Sequence, residues 1–345
     1  MAKTFKNLYP QIYDFAALHA AYRRARKGHS RCGEVLRFEQ QLEGNVIQLQ
    51  NELMWGSYRT GPYRYFEISE PKKCLVAALP FRDRVVQHAL VAAIEPIWEK
   101  RFISDSYACR VGRGMHTGAN QAQAFLRQVK RKHGRVYVYK ADIAKYFANI
   151  DHVVLKRLLK KHIGCRNTLT LINGIIDSTG DQTGIPIGNL TSQLFANIYL
   201  HELDRFVKYT CREKRYIRYM DDFIIVHHDK RHLAELRQTI ERFLSDDLLL
   251  QTNDKSQIFP VATRHGRALD FLGYRMWLTH RRLRKSSVNR MRRRLKSMVR
   301  QYAAGRIQID QIKNRIASWI GHAKHADSFR IRAKLLNTAI FRRAL

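Results

Sequence analysis

Two adjacent aspartates, Asp221 and Asp222, sit inside a run that is otherwise largely apolar, YIRYMDDFIIV. Tyr, Ile, Phe and Val on both sides suit strands, and an acidic pair between them suits a tight turn. The run therefore predicts a β-hairpin with its tip at Met220–Asp221. A third acid, Asp142, ends another run of this kind, RVYVYKAD, which reads as a buried strand followed by a short helical start at IAKYFANIDHVVLKRLL. Like charges set among apolar residues are costly without a cation. A hard divalent ion removes that cost: Mg²⁺ favours carboxylate oxygens together with substrate phosphates. Two such ions would activate a hydroxyl for in-line displacement and stabilise the leaving pyrophosphate.

The partner of such a site is indicated by charge. Among 345 residues, 63 are Lys or Arg and 29 are Asp or Glu, a net charge of +34, while hydrophobic residues make up 45%. That apolar fraction is too high for a disordered basic tail, so the chain is a folded, strongly basic protein. A surplus of this size calls for a polyanion, and nucleic acid fits better than membrane. No apolar run reaches the roughly 18 residues needed to span a bilayer, and the start MAKTFKNLYPQIYDF lacks the apolar stretch of a secretory signal. No membrane partner and a cytoplasmic location are the expectations. The five cysteines are scattered without a C-x-x-C pair and read as reduced thiols. His322 and His325 are spaced as well for a helix face as for a metal, and no H-E-x-x-H is present.

No internal repeat or low-complexity tract divides the chain. From Phe15 to Trp55 the pattern is helical, with Leu36, Leu42, Val46, Leu49 and Leu53 near a 3.6 period. GSYRTGPYRYFEISEP then suggests short strands and turns, and FRDRVVQHALVAAIEPIWEKRF predicts a helix with Val85, His88, Ala89, Ala92 and Ile97 on one side. A glycine-rich loop and another helix follow in SYACRVGRGMHTGANQAQAFLRQVKR. LTSQLFANIYLHELDRFVKY predicts a long amphipathic helix starting just after Gly188, and DFLGYRMW a short strand or hairpin. Beyond it, Ser286 or Ser287 is placed to cap a helix with Val288, Met291, Leu295, Met298 and Tyr302 inward. Arg290, Arg292, Arg293, Arg294, Lys296 and Arg300 lie on its other face.

In this order, ALPFRDRVVQHAL, SYACRVGRGMHTGA, YKADIAKYFANID, GIPIGNLTSQLFANIYL, YIRYMDDFIIV, LLLQTNDKS and DFLGYRMW resemble the successive blocks of reverse transcriptases. The resemblance implies an α+β right-hand polymerase fold with fingers, an antiparallel-sheet palm and a small helical thumb. Residues 1–135 would form the N-terminal region and fingers, with a further part of the fingers around 152–185. Residues 136–280 would form mainly palm, and 281–345 the thumb. It implies an RNA-directed DNA polymerase using two Mg²⁺ ions, replaceable by Mn²⁺, with Asp142, Asp221 and Asp222 and the Ile143 carbonyl as ligands. Lys255 matches the position that protonates the leaving pyrophosphate. Phe147 matches the aromatic gate that clashes with a ribose 2′-hydroxyl and so selects dNTPs. Lys72, Lys73, Arg82, Tyr146, Ile187, Gly188, Gln193, Tyr219 and Met220 fall at dNTP- or template-facing positions. Arg290, Arg293, Arg294, Lys296 and Arg300 would grip the backbone of an RNA–cDNA duplex.

Where many reverse transcriptases have Gln-Gly and Ser-Pro in the GIPIGNLTSQ block, this chain has Ile187-Gly188 and Ser192-Gln193. That pattern, together with RRLRKSSVNRMRRRL and ASWIGHAKHADS, resembles the enzymes of diversity-generating retroelements. Those copy a template-repeat RNA with errors at adenines and work with a structured non-coding RNA and a pentameric accessory variability protein in a bacterial host. Replacing Gln by Ile187 removes a side chain able to hydrogen-bond a nucleotide or template, consistent with lower fidelity. Abortive-infection or phage-defence reverse transcriptases share the pattern and are the alternative; retrons and group II intron enzymes fit it less well. A catalytically inert RNA-binding scaffold is disfavoured, since it has no need for three mutually repelling acids.

Overall fold

Short polar and glycine breaks divide the apolar periodicity of the first hundred residues into separate helices. In the computed structural model, which describes residues 4–68 and 74–343, these are α1 (Pro10–Tyr13), α2 (Phe15–Arg26), α3 (Gly33–Gln40) and α4 (Leu42–Met54). A hairpin of β1 (Arg64–Ile68) and β2 (Cys74–Ala78) follows, then α5 (Phe81–Glu99), α6 (Met115–His133) and β3 (Tyr137–Asp142). The chain continues through α7 (His152–Lys160), α8 (Arg166–Ile176), α9 (Leu190–Arg205), β4 (Tyr216–Tyr219), β5 (Asp222–His227) and α10 (Lys230–Leu248). Four short strands, β6 (Gln257–Pro260), β7 (Leu269–Phe271), β8 (Tyr274–Met276) and β9 (Arg281–Leu283), precede α11 (Lys285–Ala303), α12 (Ile309–Ala323) and α13 (Phe329–Asn337).

Two compact units share these elements. The first comprises Met1–Ser104, Asp142–Arg212 and Gln238–Lys255, the second Asp105–Ala141, Glu213–Arg237 and Ser256–Leu345. In the first unit α2 and α9 both pack on α5, burying Leu18, Ala21, Val85, Ala89, Leu90, Ile94 and Ile198. Asp14 caps α2 by accepting from Ala17 N at 3.1 Å, and Asp151 caps α7 by accepting from Val154 N at 2.8 Å; each satisfies an amide that the helix itself leaves unpaired. Two expectations are corrected here. Leu36 is exposed because its helix ends at Gln40 and its inward residues are Val35 and Phe38; Ala92 is also exposed, because α5 buries Val91 and Ile94 instead.

The second unit is built on a sheet of order β4-β5-β3-β6, with β4 antiparallel to β5 and β3 antiparallel to β6. Val138, Ile217, Ile224 and Val226 from this sheet meet Ala122, Phe125 and Leu126 of α6 in one core. The predicted DFLGYRMW hairpin is β7–β8, extended by β9 into a three-stranded sheet. Met291, Leu295 and Met298 of α11 pack with Ile312 of α12 and Leu335 of α13, with Val288 and Tyr302 at the margin, as the three-and-four spacing requires. The expected serine cap is not formed: Ser286 and Ser287 are inside α11, which starts at Lys285 after Arg284 without a side-chain cap. No described helix is long and apolar enough to cross a membrane, and Cys32, Cys109, Cys165 and Cys211 carry free thiols.

Candidate active site

The β4–β5 hairpin is as tight as its sequence suggests. Tyr219 pairs with Asp222, leaving Met220 and Asp221 as a two-residue tip. Met220 has φ +57°, a left-handed conformation that costs an ordinary L-residue about 1–2 kcal/mol and must be held by its surroundings. Arg218 holds it. This guanidinium is fully buried, at 0% exposure, and donates from NH1 to the Met220 carbonyl at 2.9 Å and from NH2 to Ser106 Oγ at 3.1 Å. The Arg218 backbone is itself fixed, donating to Asp105 O and accepting from Tyr107 N, both at 3.0 Å. Ile217, Phe223, Ile224 and Ile225 are wholly buried beneath, while Asp221 and Asp222 stay half-exposed. Arg218 was not singled out from the sequence; its place in an alternating strand gives no sign that it points inward.

In the sheet β3 lies between β5 and β6. Lys140 of β3 brings Nζ to 3.4 Å from Asp222 Oδ2 and donates to the Asp270 carbonyl at 2.7 Å. Asp142, two residues on and therefore on the same face of the strand, is its last residue and is half-exposed. The backbone beyond it pairs with 251–253: Asn253 N donates to Asp142 O at 2.6 Å, Ile143 bridges Thr252, and Ala144 N donates to Gln251 O at 2.9 Å. This pairing leads into the loop of Lys255, which is exposed and whose amide donates to Asn253 Oδ1 at 3.0 Å. Among the described residues no three His, Cys, Asp or Glu side chains are gathered as a metal cage. The donor chemistry nevertheless fits Mg²⁺, which is commonly held by one or two carboxylates completed by substrate phosphates and water.

A second feature belongs to the first unit. Lys145, with φ +44°, turns the chain sharply after Asp142. The following 3₁₀ turn, Tyr146–Ala148, buries Tyr146, whose hydroxyl donates to Ala196 O at 2.6 Å, and leaves Phe147 half-exposed. Phe147 and Ile187 line one groove of about 550 Å³ with Tyr65, Leu75, Ala77 and Ile185. Backbone bonds from Ile185 N to Phe147 O, 2.8 Å, and from Ala77 N to Ile187 O, 2.9 Å, tie its walls together. The next residue, Gly188, lines a different cavity and has to be glycine. Its φ is +116°, and a Cβ would meet Val76 Cγ1 at 2.8 Å and Ala77 O at 3.2 Å.

The remaining predicted positions are more dispersed. Gln193 is exposed near the start of α9, and Tyr219 is half-buried at the end of β4. Arg82 pairs with Glu52 and lies 5.9 Å from the Tyr58 ring centroid; a triphosphate would have to compete with that carboxylate for it. Next to it Asp83 is fully buried, accepting from Tyr58 OH at 2.7 Å and Gly61 N at 3.3 Å, and burial raises its carboxyl pKa. Lys72 and Lys73 lie outside the described residues. On α11, Arg293, Arg294, Lys296 and Arg300 are exposed, whereas Arg290 is half-buried and lines a cavity with Met291 and Trp319. His322 and His325 meet His116 and Tyr274: the Tyr274 hydroxyl lies 2.8 Å from His116 Nδ1 and 3.2 Å from His322 Nδ1, and the His116 and His325 rings stack at 4.0 Å.

Comparison with known proteins identifies the family. Residues 71–276 match the family described as reverse transcriptase (RNA-dependent DNA polymerase), and the chain belongs to that family, with its α+β right-hand polymerase fold. It is 29% identical over 271 residues to Protein YkfC of Escherichia coli (strain K12), covering 66% of this chain and 70% of that protein. To the group II intron-encoded protein LtrA of Lactococcus lactis subsp. cremoris it is 27% identical over 234 residues, covering 64% of this chain but only 38% of LtrA. Among solved structures, apo telomerase from Candida tropicalis aligns with a TM-score of 0.49 at 11% identity, covering 66% of this chain and 49% of that one. Helices α11–α13 lie beyond the family match.

Proposed function

We propose that the chain copies RNA into DNA, with Asp142, Asp221 and Asp222 holding two Mg²⁺ ions. The observation that carries this reading is the β4–β5 tip, where a buried scaffold holds an acidic pair half-exposed beside β3. When bound, the ions would supply the charge that activates a primer 3′-hydroxyl and stabilises departing pyrophosphate. The chain's own residues then have separate tasks. The carboxylates hold hard oxygen donors at the hairpin tip, Arg218 and the apolar floor keep that tip from drifting, and Lys140 balances part of the acidic charge at Asp222. Phe147 and Ile187 form the walls of the nucleotide groove; the ring of Phe147 excludes a 2′-hydroxyl. Lys255 is assigned the proton for pyrophosphate, and the cations of α11 grip the RNA–cDNA duplex through its phosphates.

For the biological role, the diversity-generating reading is favoured by Ile187-Gly188 and Ser192-Gln193: an aliphatic wall polices base-pair geometry by shape, with no side-chain hydrogen bond. In that reading the partners are a template-repeat RNA, its structured non-coding RNA and a pentameric accessory protein. A basic accessory protein would be repelled by a chain of charge +34, so their association should require RNA and be lost on RNase treatment. An intron-type role is a second reading, favoured by the similarity to LtrA. The test is sequencing of cDNA made with dNTPs and Mg²⁺ from the cognate RNA, with Asp221→Ala as control. Errors concentrated at template adenines and absent from the control support the diversity-generating role; faithful cDNA overturns it while leaving the polymerase reading intact, and template-dependent cDNA from the control overturns the polymerase reading.

A further inference from the structure

The β1–β2 hairpin has two working faces. Pairing of Arg64 with Ala78, Tyr65 with Ala77 and Phe66 with Val76 sets alternate residues on opposite sides. Tyr65 and Leu75 line the groove of Phe147 and Ile187. Arg64, Phe66, Val76 and Ala78 line a different cavity, of about 740 Å³.

That second cavity is strongly cationic. Arg24, Lys27, Arg37, Arg64 and Arg84 line it, with Glu34 as the single lining acid, and Glu34 lies 3.6 Å from Arg84 NH2. Arg24 and Lys27 stand at the C-terminal end of α2 and Arg37 in the last turn of α3, where the helix dipole already favours cations; Arg64 and Arg84 have no such reason to gather. The start of α3, at Gly33, and the start of α9, at Asn189 and Leu190, also open onto the cavity, and neither helix has a side-chain cap. Their amides therefore add positive potential at the same place. An independent sign comes from Gln87. It lines the cavity, is 2% exposed, and its Nε2 has no hydrogen-bond partner among the described residues. A buried amide donor without an acceptor costs about 1–3 kcal/mol, a cost that a phosphate oxygen would remove.

We infer that this cavity is a phosphate-binding site for a single-stranded segment of RNA, on the face of the β1–β2 hairpin opposite the nucleotide groove. A phosphodiester there would accept from Gln87 Nε2 and the helix-start amides while Arg37, Arg64 and Arg84 neutralise it. The site needs the chain to bind RNA but does not need it to polymerise, so it stands apart from the metal acids.

The test uses the full chain and a labelled single-stranded RNA, with anisotropy read across a salt series. Arg37→Gln with Arg64→Gln changes two exposed side chains and leaves the core intact; Gln87→Leu removes the buried donor separately. The double variant is expected to bind RNA on the order of ten-fold more weakly at low salt, and its salt dependence should be shallower by about 1.4, the contribution of two phosphate contacts on a single strand. Its KM for dNTP on a short primed template should not change. Salt dependence and affinity equal to those of the unmodified chain would overturn the site. Inorganic phosphate or triphosphate displacing the RNA as effectively as unlabelled RNA would overturn the RNA assignment in favour of a free nucleotide. Loss of cDNA synthesis in Asp222→Asn with RNA binding retained keeps the two claims distinguishable.

Discussion

The chain contains two hairpins of opposite character. In β4–β5 the strands are buried nearly throughout, and only their ends and the tip reach solvent. In β1 every residue is exposed, with Tyr65 at 55%, and Leu75 of the partner strand is at 57%. The first hairpin has its partners inside the protein, so it fixes atoms in space. The second presents Tyr65 and Leu75 on one face and Arg64 beside Phe66 on the other, an arrangement that binding would complete. The difference teaches that position is supplied by core packing while recognition is supplied by surface the fold leaves uncovered.

The largest expected effect tests whether the buried hairpin exists to hold its acids. Asp222→Asn keeps size and shape but removes a charge, and should lower kcat for cDNA synthesis by about 10³-fold or more while Tm stays within a few degrees. A variant that retains substantial activity at saturating Mg²⁺ would remove Asp222 from the metal set.

Arg218 comes next. Arg218→Leu deletes the bonds to Met220 O and Ser106 Oγ and should destabilise the protein by about 3 kcal/mol, the scale for losing charge-assisted buried hydrogen bonds. Loosening the tip should also lower kcat by about 10² at unchanged dNTP KM and raise the Mg²⁺ concentration needed for half-maximal rate. Arg218→Lys keeps one donor and should recover part of kcat. If the Leu variant shows lower Tm but full kcat in the folded fraction, Arg218 is only structural.

The groove lined by Phe147 and Ile187 gives a smaller effect. If Phe147 acts as the proposed gate, Phe147→Ala should raise incorporation of rNTP relative to dNTP by on the order of 10²; competition assays with one template measure it. An unchanged ratio would assign Phe147 to packing.

How much of this was legible in the sequence follows from where each partner lies. The β4–β5 tip could be read because its determinants are contiguous: apolar strands around two acids. The roles proposed for Phe147 and Ile187 rest on the order of the blocks along the chain, whereas the α11 core could be read from its three-and-four spacing. Arg218 could not, because Ser106 and Asp105, which bury it, are more than a hundred positions away. The cationic cavity draws on α2, α3, β1 and α5, and no local pattern marks cations that converge only on folding. Helix ends at Gln40 and Lys285 were also missed, since nearby breaks and packing overrode the local cap and period signals.

The smallest stability effect is the sharpest test of the comparison itself. Phe223, wholly buried in β5, packs against Tyr139 with ring centroids 5.8 Å apart, so Phe223→Ala should cost about 3–5 kcal/mol through lost burial and the cavity left behind. Tyr65→Ser with Leu75→Ser removes two large side chains that already face solvent, and should change stability by no more than about 0.5 kcal/mol. The same double variant should nevertheless weaken primer-template binding and raise dNTP KM, because those side chains form the wall of the groove. Denaturation midpoints and KM measured on both variants separate the alternatives. If the exposed pair proves as costly to stability as Phe223, then β1–β2 is held by apolar contacts of its own and its outward residues are not waiting for a ligand; if stability holds while KM rises, the uncovered surface is where substrate enters.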